Sequence, residues 1–212
     1  MPKVKMPKNS PSLDMTPMVD LAFLLVTFFM LTTQFRPDEP VVVDTPSSIS
    51  EKILPDKVML VTVDSTGRVF FNLEGKEIRR KMLEQMGAKY GVQFDETSAS
   101  RFAVMTTFGM TVQQLKDYLP LDETQRKEFL TKSRGIPYDS LNNQLGDWIR
   151  FGRLADASTA QGPTDKDKAL RFAIKGDANA DYTSIKRVIE VFQEMKVNRF
   201  NLVTSLETNP TI

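Results

Sequence analysis

The sequence predicts one membrane-spanning α-helix at the N-terminus, followed by an α/β domain that carries a mostly helical insertion. Three observations support this. Residues 21–31 form an uncharged apolar run. A β-hairpin and a separate strand–helix–strand unit flank the middle of the chain. Between them, residues 76–163 place their apolar side chains at helical spacing.

Composition fits that architecture. The chain has 212 residues, 41% hydrophobic and 26% charged, the balance of a globular protein rather than a disordered one. Without the anchor, about 175 residues remain, enough for one well-buried domain or two small ones. A net charge of +1 gives no global field toward nucleic acid. Cysteine and histidine are both absent. This excludes thiolate catalysis, disulfides, the usual zinc ligand sets, His-based triads and lipid attachment through cysteine. No cofactor or metal is expected. A cysteine-free chain suits an oxidising compartment.

The helix is predicted over residues 17–35, and Met18–Phe35 reach about 27 Å against roughly 30 Å of bilayer hydrocarbon. Thr16 suits the N-cap and Pro17 the first helical position, where a missing N–H costs nothing. A cleaved signal peptide is the competing reading. Against it, no small-x-small site follows in Thr32-Thr33-Gln34-Phe35-Arg36. Lys3, Lys5 and Lys8 precede the run while Asp38 and Glu39 follow it, which places the N-terminus in the cytoplasm.

Asp20 lies inside this helix. An ionised carboxylate at a bilayer centre costs at least about 2.5–3.5 kcal/mol on insertion scales, and less one turn from the end. A bland role exists, since an acid near a helix N-terminus interacts well with the macrodipole. The helical repeat, however, puts Asp20, Leu24, Thr27 and Leu31 on one face, a narrow polar stripe in an apolar helix. Such a stripe expects a protein partner or a hydrated path. Thr27 alone is weak support, because a lone Thr often bonds back to a carbonyl.

Leu13-Asp14-Met15-Thr16-Pro17-Met18-Val19-Asp20, running into Leu21–Leu31, resembles the signature of the ExbD/TolR family. That pattern is Asp-x-Thr-Pro-hydrophobic-hydrophobic-Asp followed by a single transmembrane helix. The resemblance implies a bacterial inner-membrane protein with a periplasmic C-terminal domain, in which Asp20 is the proton-responsive carboxylate. Asp14, Thr16, Pro17, Leu24 and Thr27 would then be motif and helix-packing positions. It also implies partners: a multi-span channel subunit of the ExbB/TolQ type around a pair of ExbD-type helices, and a TonB- or TolA-like protein spanning the periplasm.

Residues 36–56 hold Pro37, Pro40, Pro46 and Pro55, which deny a helix and favour an extended linker. Val41-Val42-Val43 within it is β-prone. In the family this region is extended and able to pair with another chain; a plain spacer is the alternative. Lys57–Val63 and Arg68–Leu73 read as a hairpin around Asp64-Ser65-Thr66-Gly67. Leu170–Lys175 reads as a strand, Gly176–Ala180 as a turn and Asp181–Lys196 as a helix. In that helix Tyr182, Ile185, Val188, Ile189, Phe192 and Met195 face the sheet. Phe200–Thr204 is the last strand, parallel to the one before the helix. The domain thus comprises residues 57–75 and 164–207, and its second half also resembles the family's periplasmic domain, although Lys196-Val197-Asn198 lacks the glycine common at that helix end.

The insertion departs from the family pattern. Glu77–Tyr90 is predicted helical with Ile78, Met82, Leu83 and Met86 on one face. Arg101–Phe108 is ambiguous. Thr111 with Gln114 forms a capping-box signature for a helix to Tyr118. Asp122–Lys132 and Leu141–Ala157 are helical, the latter with Leu141, Leu145, Trp148 and Ile149 on one face. The insertion is either packed on the domain or a lobe for a partner. The runs Arg79-Arg80-Lys81 and Asp165–Lys168 read as solvated surface.

Three functions compete. The first is a non-enzymatic subunit of a proton-driven motor, either ExbD-like for transport across the outer membrane or TolR-like for the envelope. An enzyme is the second, though phosphate loops, G-x-S-x-G and S-x-x-K patterns are all missing. The third is a membrane-tethered periplasmic binding module.

Overall fold

The computed structural model describes residues 15–32, 43–45, 47–48, 57–159, 170–203 and 205–206. Asp14, the N-terminal lysines, most of the 36–56 linker and the 165–168 tetrad lie outside them. The chain divides into two compact units, Met1–Pro37 and Asp38–Ile212.

The first unit contains α1, Thr16–Thr32. Its first turn is closed by the Val19 N–H donating to the Met15 carbonyl at 3.0 Å, one residue earlier than the predicted Thr16 cap. The helix has 17 residues, shorter than the predicted 17–35 span, whose residues 33–35 lie outside the described set. No helix among the described residues is long and apolar enough to cross a membrane. None of the residues of α1 is buried, and its large apolar side chains are exposed all round.

The second unit contains a four-stranded sheet in the order β3-β2-β4-β5, with β2 Val58–Val63, β3 Val69–Leu73, β4 Arg171–Gly176 and β5 Asn201–Val203. β2 and β3 form the predicted antiparallel hairpin, with Val61 opposite Phe71. β2 pairs parallel with β4, and β4 parallel with β5, through α7, Tyr182–Glu194. A two-residue pair, β1 Ser47–Ser48 with β6 Ser205–Leu206, is also parallel.

The turn between β2 and β3 is locked by Asp64. One carboxylate oxygen accepts from the Thr66 N–H at 2.9 Å, the Thr66 hydroxyl at 2.7 Å and the Arg68 N–H at 2.8 Å. The other accepts from Arg68 Nε at 2.7 Å. Gly67 completes the turn at φ 79°, a left-handed conformation that disfavours any side chain. Burial raises the affinity of the Asp64 carboxyl for a proton, but the hydrogen bonds from Thr66 and Arg68 and the Arg68 charge outweigh it and hold the carboxyl below its ordinary value. Its folded value is the lower one, so its contribution to stability is complete above the unfolded value of about 3.9 and is lost as pH falls below that. Asp64→Ala should cost about 2–4 kcal/mol at pH 7, since it strands Arg68 and three donors. Urea titrations of the full-length chain in detergent should show that deficit shrinking toward pH 3.

Residues 76–163, expected as an insertion, hold α2 Lys76–Tyr90, α3 Glu96–Val104, α4 Val112–Tyr118, α5 Glu123–Lys132 and α6 Gln144–Thr159. They form no separate lobe. Ile78, Met82, Leu83 and Met86 of α2 share one core cluster with Met59, Val61, Phe71 and Leu73 of the hairpin. Leu145, Trp148 and Ile149 of α6 join them, as do Val188, Val191 and Phe192 of α7. Trp148 lies 4.8 Å from Phe108, 5.9 Å from Phe102 and 6.3 Å from Phe71, ring centre to ring centre. Gly152 lets α6 lie close on the sheet, for a Cβ there would sit 2.6 Å from the Met59 methyl. The edge of β3 is covered as well. Phe71 and Phe108 exchange two backbone hydrogen bonds at 2.8 and 3.1 Å, and the Ile136 N–H donates to the Val69 carbonyl at 2.9 Å.

Tyr182, expected to face the sheet, is 75% exposed at the start of α7. Arg79 is not solvated surface: it is 4% exposed, its guanidinium donates to the Thr106 carbonyl at 2.5 Å, and it lies 5.5 Å from the Phe102 ring centre. Burial lowers its pKa to about 10, partly opposed by the Glu74 charge. Leu141 lies before α6 and is fully exposed, so the apolar face of that helix begins at Leu145.

Candidate functional site

α1 forms because Pro17 pre-sets the first turn and the following residues contain neither glycine nor a second proline. Asp20 is the only ionisable side chain in it. It is the fifth residue of the helix, and no acid occupies the first turn. The macrodipole effect fades within that first turn, which weakens the bland reading of Asp20 as a capping acid. Asp20 and Leu24 are exposed, and Thr27, one further turn along, is half-buried. The Thr27 hydroxyl donates to the Leu24 carbonyl at 2.9 Å. That bond satisfies Thr27 within its own helix and leaves Asp20 as the polar group of the stripe with chemistry to offer. Thr16 and Pro17 are the first two residues of α1, while Asp14 falls outside the described residues.

In the second unit, Asp44 of the 36–56 segment is tied to the turn that follows β4. The Asp44 N–H donates to an Asp177 carboxylate oxygen at 3.3 Å, and the Asp44 carbonyl accepts from the Ala178 N–H at 2.7 Å. The second Asp177 oxygen accepts from the Asn179 N–H at 2.8 Å, which shapes the turn. Val43 beside this clasp is 8% exposed, and the β1–β6 pair lies four residues on from Val43. Asp44 is thus held by its own unit, through its main-chain groups and Asp177. Sequence reading singled out Gly176-Asp177 only as a generic turn. A signal was present in Asp177-x-Asn179, a pair suited to a side chain capping its own turn.

Among the described residues, no group of three or more acidic side chains is placed to hold a metal ion. The strongest carboxylate constellations have structural partners: Asp64 with Arg68, and Asp147 with Lys89 at 2.5 Å and the Tyr90 hydroxyl at 2.6 Å. Burial, and then the bond to Asp147, raise the Tyr90 phenol well above its ordinary value. These groups fix helices α2 and α6 to each other.

Comparison with known proteins agrees with the anchor motif. No curated protein and no solved structure matches the chain. A family model described as "Biopolymer transport protein ExbD/TolR" matches residues 6–207, which take in the Asp14–Asp20 motif, α1, the sheet and the insertion. With nearly the whole chain matched, the protein belongs to the ExbD/TolR family of biopolymer transport proteins.

Proposed function

We propose that this chain is the energy-transducing subunit of a proton-driven motor in the bacterial inner membrane. α1 spans the membrane with its N-terminus in the cytoplasm, and the α/β domain lies in the periplasm. Protonation and release at Asp20 move α1 against the helices of an ExbB/TolQ-type channel subunit. The periplasmic domain passes that motion to a TonB- or TolA-type partner. The chain itself makes and breaks no covalent bond.

The observation that carries this reading is a lone carboxylate on a helix whose apolar surface is exposed on every side. Its 17 residues reach about 26 Å, and the sequence stays uncharged to Phe35. That surface is exposed, and lipid or partner helices are its natural cover. A charge crossing the membrane potential gains about 2.3 kcal/mol per 100 mV, enough to bias one helix among its neighbours.

Exchange of residues 17–35 for an unrelated apolar helix tests motor against tether. The expected outcome is normal membrane insertion with loss of energy-dependent work. Retained work would show that α1 is only an anchor. Assaying the same strain for outer-membrane uptake and for envelope integrity separates the TonB-linked branch from the TolA-linked one.

A further inference from the structure

The insertion and the family core build a groove that neither forms alone. It has a volume of about 830 Å³ and lies between α6, the start of β4 and the end of α7. Its floor is apolar: Leu154, Leu170, Phe172 and Met195. Leu154 is 49% exposed on a helix whose opposite face is fully buried. Arg150 and Lys196 stand at the rim.

Charge at that rim is one-sided. The acids beside the groove have partners: Asp156 lies 3.6 Å from Lys57, and Glu194 lies 3.8 Å from Arg187 and 3.4 Å from the Asn143 amide. Arg153 is engaged too, donating to the Met195 carbonyl at 2.9 Å. The side chains of Arg150 and Lys196 have no hydrogen bond or ion pair among the described residues. The local field therefore favours an anionic group above an apolar floor.

A second observation concerns the backbone. Lys196 has φ 58°, the one non-glycine residue with positive φ among the described residues. It follows the end of α7, where the Val197 N–H bonds the Phe192 carbonyl at 2.8 Å and the Lys196 N–H bonds the Gln193 carbonyl at 2.9 Å. Glycine is the usual residue at such a helix end, because any Cβ is strained there. The lysine in that place lines the lip of the groove.

We propose that this groove docks a segment of a partner protein that presents a large apolar side chain between carboxylates. The apolar side chain sits against Leu154 and Phe172, and the carboxylates meet Arg150 and Lys196.

Fluorescence anisotropy tests this with full-length protein in detergent and two labelled peptides, Glu-Leu-Glu-Phe-Glu and Lys-Leu-Lys-Phe-Lys. The acidic peptide should bind saturably and the basic one at least tenfold more weakly. Leu154→Glu should weaken the acidic peptide tenfold or more. Lys196→Gly should weaken it severalfold while raising the melting midpoint by about 2–4 °C, a split that a merely structural lysine would not give. Equal binding of both peptides, or no binding of the acidic one, overturns the proposal. Binding that appears only after residues 160–169 are replaced by a Gly-Ser linker overturns it too, since the chain itself would then fill the groove. Dissociation of a dimer by Leu154→Glu would assign the surface to a second copy and likewise overturn it.

Discussion

Asp20→Asn should reduce proton-driven work to background, a loss of at least a hundredfold, while leaving the protein in the membrane and bound to its channel subunit. Asparagine keeps the size of aspartate and can still hydrogen-bond, so helix packing has no reason to change. What it cannot do is gain or lose a charge. Because Asp20 is the only ionisable group in α1, no neighbour on that helix can substitute for it. The experiment needs two readouts from one strain: energy-dependent uptake or envelope integrity, and co-purification of the mutant chain with the channel subunit. Normal work in the mutant refutes the motor reading. Loss of both readouts would instead mean that the variant fails to assemble. Thr27→Val is the matched control, since its hydroxyl is already bound to the Leu24 carbonyl and its loss should leave work near normal.

The features legible in sequence were those set by local chemistry. Thr111 and Gln114 do form the reciprocal capping box that opens α4. The Asp64–Gly67 turn has Gly67 at positive φ, and the strands on either side pair antiparallel across it. Other features depended on contacts far along the chain. The stretch Arg101–Phe108 was ambiguous because α3 ends at Val104 and the chain then runs extended to pair Phe108 with Phe71, a partner 37 residues away. Arg79 was read as surface because it sits in a basic run, yet α2 turns it inward onto Thr106 and Phe102. No periodicity of α2 announces a buried cation. The groove beside Lys196 was invisible for the same reason, since it joins residues 150–157 to residues 170–196. The missing glycine at that helix end was visible in sequence, and the structure gives it a geometry.

Trp148→Ala should destabilise the domain by about 3–5 kcal/mol, a large part of the roughly 5–15 kcal/mol that holds a domain together. The indole is fully buried among Phe71, Phe102 and Phe108, so truncation removes its transfer energy and leaves a cavity that three rings must collapse to fill. Trp148→Phe should cost far less, because it keeps a ring and removes an indole N–H that has no acceptor among the described residues. Thermal denaturation of the full-length chain in detergent checks both. The same packing decides what deletion of residues 76–163 would do. Phe71 belongs to β3, but Trp148 and Phe108 cover it, and the Ile136 N–H satisfies the edge of that strand. Removing the insertion therefore exposes one face of the hairpin and an unpaired strand edge together. A detachable binding lobe would leave a folded domain that still transduces energy; an insertion built into the core would leave no cooperative unfolding transition at all. The buried tryptophan argues for the second outcome, and a deleted chain that melts cooperatively would disprove it.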